Sequence, residues 1–173
     1  MKDQVNLRVM TKEDTSVTWR WRNQESVRDH FSGHPYSVTQ EQEELWYDKS
    51  VEKNDSLVVF VVECKTDGQL LGMTFLKQIN KIHRQAEFAI LIAEENIGKG
   101  FGKEACRKSL EYGFKDLNLH RIYLKVRVDN PAAIQIYTQC GFRKEGELRD
   151  DVFKNEVFRN QYVMSILESE FPV

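Results

Sequence analysis

Residues 57–62 form the densest apolar run of the chain, and their valine and phenylalanine content predicts a buried strand over residues 57–63. A turn at Thr66-Asp67-Gly68-Gln69 follows, and residues 70–76 return as the hairpin partner. Ahead of this pair, residues 6–10 alternate and predict a first strand. Val17, Trp19, Trp21 and Val27, within residues 12–31, fit one or two short helices. Thr39 and Gln42 have capping-box spacing, which predicts a helix over residues 39–50 with Leu45 and Trp46 on its apolar face.

Residues 85–92 read as another strand, and from residue 98 the period changes. Cys106, Leu110, Gly113, Phe114 and Leu117 fall on one face of a helix over residues 98–117. Residues 120–128 are again strand-like, with Ile122, Leu124 and Val126 on one side. Asn130-Pro131 opens a short helix, Asn as N-cap and Pro at the first helical position, which stops at Gly141. Strands near residues 142–147 and 157–167 close the chain. The order β-α-α-β-β-β-α-β-α-β-β combines an antiparallel meander with a crossover that demands a parallel pair, so the fold class is mixed α/β. No repeat or Pro/Gly/Ser-rich linker divides residues 1–173, which read as one domain.

Composition narrows the function. A net charge of −2, from 25 basic and 27 acidic residues, argues against an electrostatic nucleic-acid binder while leaving room for a small cationic substrate. Cys64, Cys106 and Cys140 are odd in number and show no C-x-x-C pair, so neither a disulfide framework nor a metal site is expected. The apolar run is too short to span a bilayer, and the first residues form no apolar leader. A cytoplasmic protein with no membrane association is the expectation.

Between a strand and a helix lies Ile97-Gly98-Lys99-Gly100-Phe101-Gly102-Lys103. Glycines at alternate positions let the backbone curl so that several N–H groups, with a helix N-terminus behind them, meet at an anion such as a pyrophosphate. Lys99 and Lys103 add charge. A plain tight turn is one alternative. A dinucleotide fingerprint is another, but it needs G-x-G-x-x-G and an acidic residue about 20 positions on. Here the spacing is G-x-G-x-G, and Leu117-Asn118-Leu119 occupies that downstream position.

The turn resembles the CoA signature of the GCN5-related N-acetyltransferases, Gln/Arg-x-x-Gly-x-Gly/Ala. Ile97 stands where that signature has Gln or Arg. Asn130-Pro131-Ala132-Ala133-Ile134 through Tyr137, then Gly141-Phe142, matches the family's second block. The resemblance implies a mostly antiparallel central sheet whose parallel fourth and fifth strands splay around acetyl-CoA. It places Ile90, Leu91, Ile92 and Ala93 along the pantetheine arm, and residues 97–103 at the diphosphate. Asn130 is a further contact, and Tyr137 is placed near the sulfur.

Acetyl transfer to an amine needs a base, donors for the oxyanion and an acid for the thiolate. Tyr137 is the candidate acid; its alternative is a core face shared with Ala133, Ile136 and Cys140. Glu87 is the candidate base and an acceptor contact, in an otherwise apolar strand where burial would raise its pKa. Its alternative is an ion pair with Arg84 or a lysine. His83 is a weaker candidate base, and Cys106 and Cys140 read as packing residues.

For the acceptor, Trp21, Arg22 and Asn23, followed by Val27-Arg28, are similar to acetyltransferases of nucleotide-linked 4-amino sugars. Phe31 and Tyr36 join them as candidate contacts. Aromatics would stack on a base and arginines would hold a diphosphate; the alternative puts Trp19 and Trp21 in the core and Arg22 in an ion pair. Residues 82–88 and 145–148 are instead similar to spermidine/spermine acetyltransferases, with Glu41, Glu43 and Glu44 as polycation ligands or a solvated face. Ribosomal-protein N-terminal acetyltransferases share the layout. The balance falls on the amino sugar, with a non-catalytic acyl-CoA-binding module as the contrasting class. A homodimer through the last strands is common in the family.

Overall fold

The computed structural model describes residues 3–30 and 36–172. Its strands are β1 (Val5–Val9), β2 (Leu57–Cys64), β3 (Leu70–Asn80), β4 (Gln85–Ile92), β5 (Arg121–Arg127), β6 (Arg143–Lys154) and β7 (Val157–Leu167). They form one sheet in the order β1-β2-β3-β4-β5-β7-β6. Every pairing is antiparallel except β4 with β5, which is parallel and spans Gln85↔Arg121, Ala86↔Ile122 and Glu87↔Tyr123.

Five α-helices cover the sheet: α1 (Thr15–Asn23), α2 (Glu25–His30), α3 (Gln40–Trp46), α4 (Phe101–Lys115) and α5 (Pro131–Gln139). Three of them lie between β1 and β2, one more than the coarse order above. Gln24, with extended ψ of 135°, breaks α1 from α2. The capping box of α3 forms as its spacing predicts: Gln42 N–H donates to Thr39 Oγ1 at 3.2 Å, and Thr39 N–H donates to Gln42 Oε1 at 2.9 Å. Leu45, expected on the apolar face, is instead exposed, while Trp46 packs 6.4 Å from Phe75.

The continuous apolar run in β2 reflects burial on both faces of the sheet. Val59 and Val61 join Met73, Phe75, Leu91, Trp21 and Val27 beneath α1 and α2. Phe60 and Val62 turn the other way, toward Tyr112 and Ala105 on α4. There Cys106, Leu110 and Phe114, as the helical period predicts, pack with Phe88, Ile122, Leu124, Val126 and Ile166. Each large aliphatic side chain buried this way contributes about 1.5–3 kcal/mol. Gly113 is the close-approach point, since a Cβ there would meet Ile122 Cδ1 at 2.6 Å.

β6 runs well past the expected 142–147, ending at Lys154. It is an edge strand, mostly exposed and heavily charged, so no apolar alternation announces it; such charges keep an unpaired edge from recruiting other strands.

Candidate active site

After Glu87 the β4–β5 pairing stops, and the strands part. A cleft of about 660 Å³ opens between them, walled by Ile90, Leu91 and Ile92 on one side and Lys125, Val126 and Arg127 on the other. α5 lines it through Ala133, Ile136 and Tyr137, and the glycine turn through Ile97, Gly98, Gly100, Gly102 and Lys103.

The turn is built as its glycines suggest. Gly98 and Gly100 have φ of +81° and +88°, the left-handed region that a side chain strains to adopt. Gly100 is the N-cap of α4, so the first amides of a 15-residue helix face the cleft. A Cβ on Gly102 would lie at ordinary contact from Ile92 (3.5 Å) and Ile136 (3.8 Å), which places the helix start between β4 and α5. Open strand edges, left-handed glycines and a helix terminus are the donor set that a CoA arm and diphosphate require, so the residues present fit that group.

Not every expected carrier residue reaches the cleft. Ala93 is fully buried, and Phe101 packs toward Val5, Val62 and Leu71. Lys99 turns its ammonium toward Asn96 Oδ1 at 3.4 Å. Asn130 lines the cleft while its Oδ1 caps α5, accepting from Ala133 N–H at 3.1 Å. The cap and the cleft position coexist.

Tyr137 is 8% exposed and faces the cleft, its ring edge-on to Phe88 (6.3 Å) and Phe142 (5.8 Å). Burial, reinforced by the thiols of Cys106 and Cys140, pushes its phenol well above its ordinary pKa. Burial also pushes the Cys106 thiol up, as suits a packing residue.

Glu87 does not line the cleft. It stands on the opposite face of β4 from Phe88, and its Oε1 pairs with Lys77 Nζ at 2.9 Å. The lysine pair anticipated as its alternative is therefore present. His83 sits in the β3–β4 turn, its backbone N–H donating to Asn80 Oδ1 at 2.8 Å.

The first helices hold their polar groups inward. Trp21 is buried in the core. Arg22 Nη1 meets the fully buried Glu43 at 2.7 Å, Thr18 Oγ1 donates to the same carboxylate, and the guanidinium lies 5.2 Å over the Trp46 ring. Asn23 clasps Val38 with both ends of its amide, at 2.7 and 2.8 Å. Tyr36 is 70% exposed, and Phe31 lies outside the described residues. Glu43 is thus a buried counter-ion of Arg22 rather than part of a solvated face.

Several cleft residues are absent from any motif. Ser26 reaches in from α2 beside Val27, Gln161 from β7, and Arg127 from the end of β5. Arg127 grips Asp129 with two bonds of 2.8 Å and donates to the Asp29 carbonyl at 2.5 Å, while Arg159 reaches Asp129 at 2.8 Å. These charges tie α2, the turn after β5, and β7 together; hydrogen bonding to Asp129 holds Arg127 protonated beyond its ordinary range. A charged residue at the inner end of a strand that diverges from its neighbour is the one signal that could have found it.

Among the described residues no group of His, Cys, Asp and Glu could hold a metal ion, and no helix is long and apolar enough to cross a membrane.

Residues 4–143 match the family model described as an acetyltransferase (GNAT) domain. The spermidine N(1)-acetyltransferase of Vibrio cholerae is 39% identical over 171 residues, covering 99% of this chain and 97% of that protein. The protein of the same name from Escherichia coli K12 is 39% identical over 167 residues, 96% of this chain and 88% of its own. A crystal structure of spermidine N-acetyltransferase from Vibrio cholerae in complex with CoA and spermine superposes with a TM-score of 0.92 at 36% identity, covering 98% of each chain.

Proposed function

The chain belongs to the acetyltransferase (GNAT) family and is an acetyl-CoA-dependent N-acetyltransferase; from that premise we propose that its acceptor is a polyamine of the spermidine and spermine class. What carries this reading is the likeness, along almost the whole chain, to proteins named for that acceptor. The residues that favoured a nucleotide-linked amino sugar now speak for it less, because Trp21, Arg22 and Asn23 are engaged inside the protein.

Acetyl-CoA supplies the acetyl group as an activated thioester. The acceptor nitrogen must arrive without its extra proton, and we assign that proton to Glu87. Because Glu87 stands at the fork and outside the cleft, it takes the proton along water. Backbone N–H groups of β4 beyond the fork hold the charge that develops on the acetyl oxygen. Tyr137 keeps a proton at Oη throughout the neutral range and gives it to the sulfur as the C–S bond breaks, solvent then restoring the phenol.

Free-thiol release from acetyl-CoA tests the acceptor, with spermidine, spermine, a UDP-4-amino-4,6-dideoxy sugar and an Ala-initiated peptide as the panel. Turnover of spermidine or spermine is the expected result. Turnover of the sugar or the peptide alone overturns the polyamine assignment.

A further inference from the structure

Asn96 ends the short helical turn that joins β4 to the glycine turn. It is 3% exposed and lines the cleft. Its Oδ1 accepts from Lys99 Nζ. An ammonium only donates, so this contact identifies the oxygen end of the carboxamide and leaves the Nδ2 protons facing away from Lys99. Among the described residues nothing accepts from Nδ2. Buried donors are almost always satisfied, and one that is not calls for a reason. Trp19 Nε1 and Arg159 Nε are in the same condition, but neither residue lines the cleft, whereas Asn96 does.

The turn that presents Asn96 is braced. Gln24, at the break between α1 and α2, accepts from Glu94 N–H at 3.0 Å and donates to Glu95 Oε2 at 3.1 Å. Asn96 N–H itself donates to the Ala93 carbonyl at 2.8 Å. The backbone that carries Asn96 is therefore held in place ahead of any ligand, which lowers the ordering cost of using its side chain.

We propose that Asn96 is a carrier-binding residue whose side-chain N–H is kept for an acceptor oxygen of acetyl-CoA, either an amide carbonyl of the pantetheine arm or a phosphate of the diphosphate. This rests on the acetyl-CoA reading above and adds a side-chain contact one residue ahead of the glycine signature. Ligand binding then completes the hydrogen bonding of a buried donor that the protein alone leaves unmet.

Asn96→Asp keeps an oxygen for Lys99 and removes the donor; Asn96→Leu removes both while keeping the branched heavy-atom outline. Calorimetric titration with CoA and with S-acetylpantetheine is paired with thermal unfolding, with and without CoA. The expected result is a dissociation constant for CoA raised about tenfold in both variants. The CoA-induced rise in unfolding temperature shrinks, and the ligand-free unfolding temperature of Asn96→Leu does not fall. Weakening seen equally with S-acetylpantetheine assigns the bond to the arm, and weakening confined to CoA assigns it to the diphosphate. Unchanged CoA affinity in both variants overturns the proposal, as does a ligand-free loss of stability with the CoA-induced shift intact. Failure of the unsubstituted protein to bind CoA would instead remove the acetyltransferase reading.

Discussion

Glu87 stands opposite Tyr123 on the last rung of the parallel pairing between β4 and β5, at the fork from which the cleft opens. Tyr123's phenol is pushed up by burial and by the negative charge of Glu87, so the carboxylate acts on its neighbours across the sheet. Glu87→Gln is expected to lower kcat about 10- to 100-fold and to leave KM for acetyl-CoA unchanged. Steady-state kinetics across pH measure this. A full rate at neutral pH takes Glu87 off the proton path.

Removing the Tyr137 hydroxyl leaves the ring contacts with Phe88 and Phe142 in place. Tyr137→Phe should therefore fold normally and bind CoA within about twofold, while kcat falls about 100- to 1000-fold. A phenol whose pKa is raised keeps its proton to higher pH, above the ordinary value of about 10. The pH–rate profile of the unsubstituted enzyme should rise as the acceptor loses its proton and show no descending limb below that value. A limb falling near pH 8 would assign the acid to another group.

The ion pair of Arg22 with Glu43 separates a structural from a substrate-binding role. Glu43→Ala strands a guanidinium that is only 19% exposed and should cost about 3 kcal/mol of stability, read from denaturant unfolding. Arg22→Met should also destabilise the fold yet leave KM for the acceptor unchanged. A large rise in that KM at full stability would return Arg22 to the acceptor site.

Gly100 and Gly102 differ in what they tolerate. Gly100→Ala forces a side chain to φ of +88° and should cost about 1–3 kcal/mol, with weaker CoA binding. Gly102 lies inside α4, where a methyl would find ordinary contacts, so Gly102→Ala should be nearly silent in both readouts. That contrast agrees with a signature that admits Gly or Ala at its last position. Thermal unfolding with and without CoA distinguishes the two.

Local chemistry was legible in the sequence. The capping residues Thr39 and Asn130, the helical face of Cys106, Leu110 and Phe114, and the glycine turn all follow from neighbours within a few positions. What escaped was decided at long range. Glu43 looks like any surface acid until α3 folds onto α1 and Arg22 meets it. Arg127, Ser26 and Gln161 converge on the cleft from three distant segments. The length of β6 was hidden because an exposed, charged edge strand carries no burial pattern to read.

Three rungs join the two halves of the sheet, and the support behind that seam is one-sided. On the α4 face a single core runs across it, with Leu76, Ala86 and Phe88 meeting Ile122, Leu124 and Ile166. On the other face the apolar packing belongs to β2, β3 and β4 with the first helices, and among the described residues no apolar side chain of β5 joins it. Beyond those rungs the gap is lined from the α4 face by Ala133, Ile136 and Tyr137 of α5, and from the other face by Ser26 and Val27 of α2. Side chains rooted in two separate cores thus meet at the one place where the strands no longer touch, so a shift of either core relative to the other would change the width of the gap.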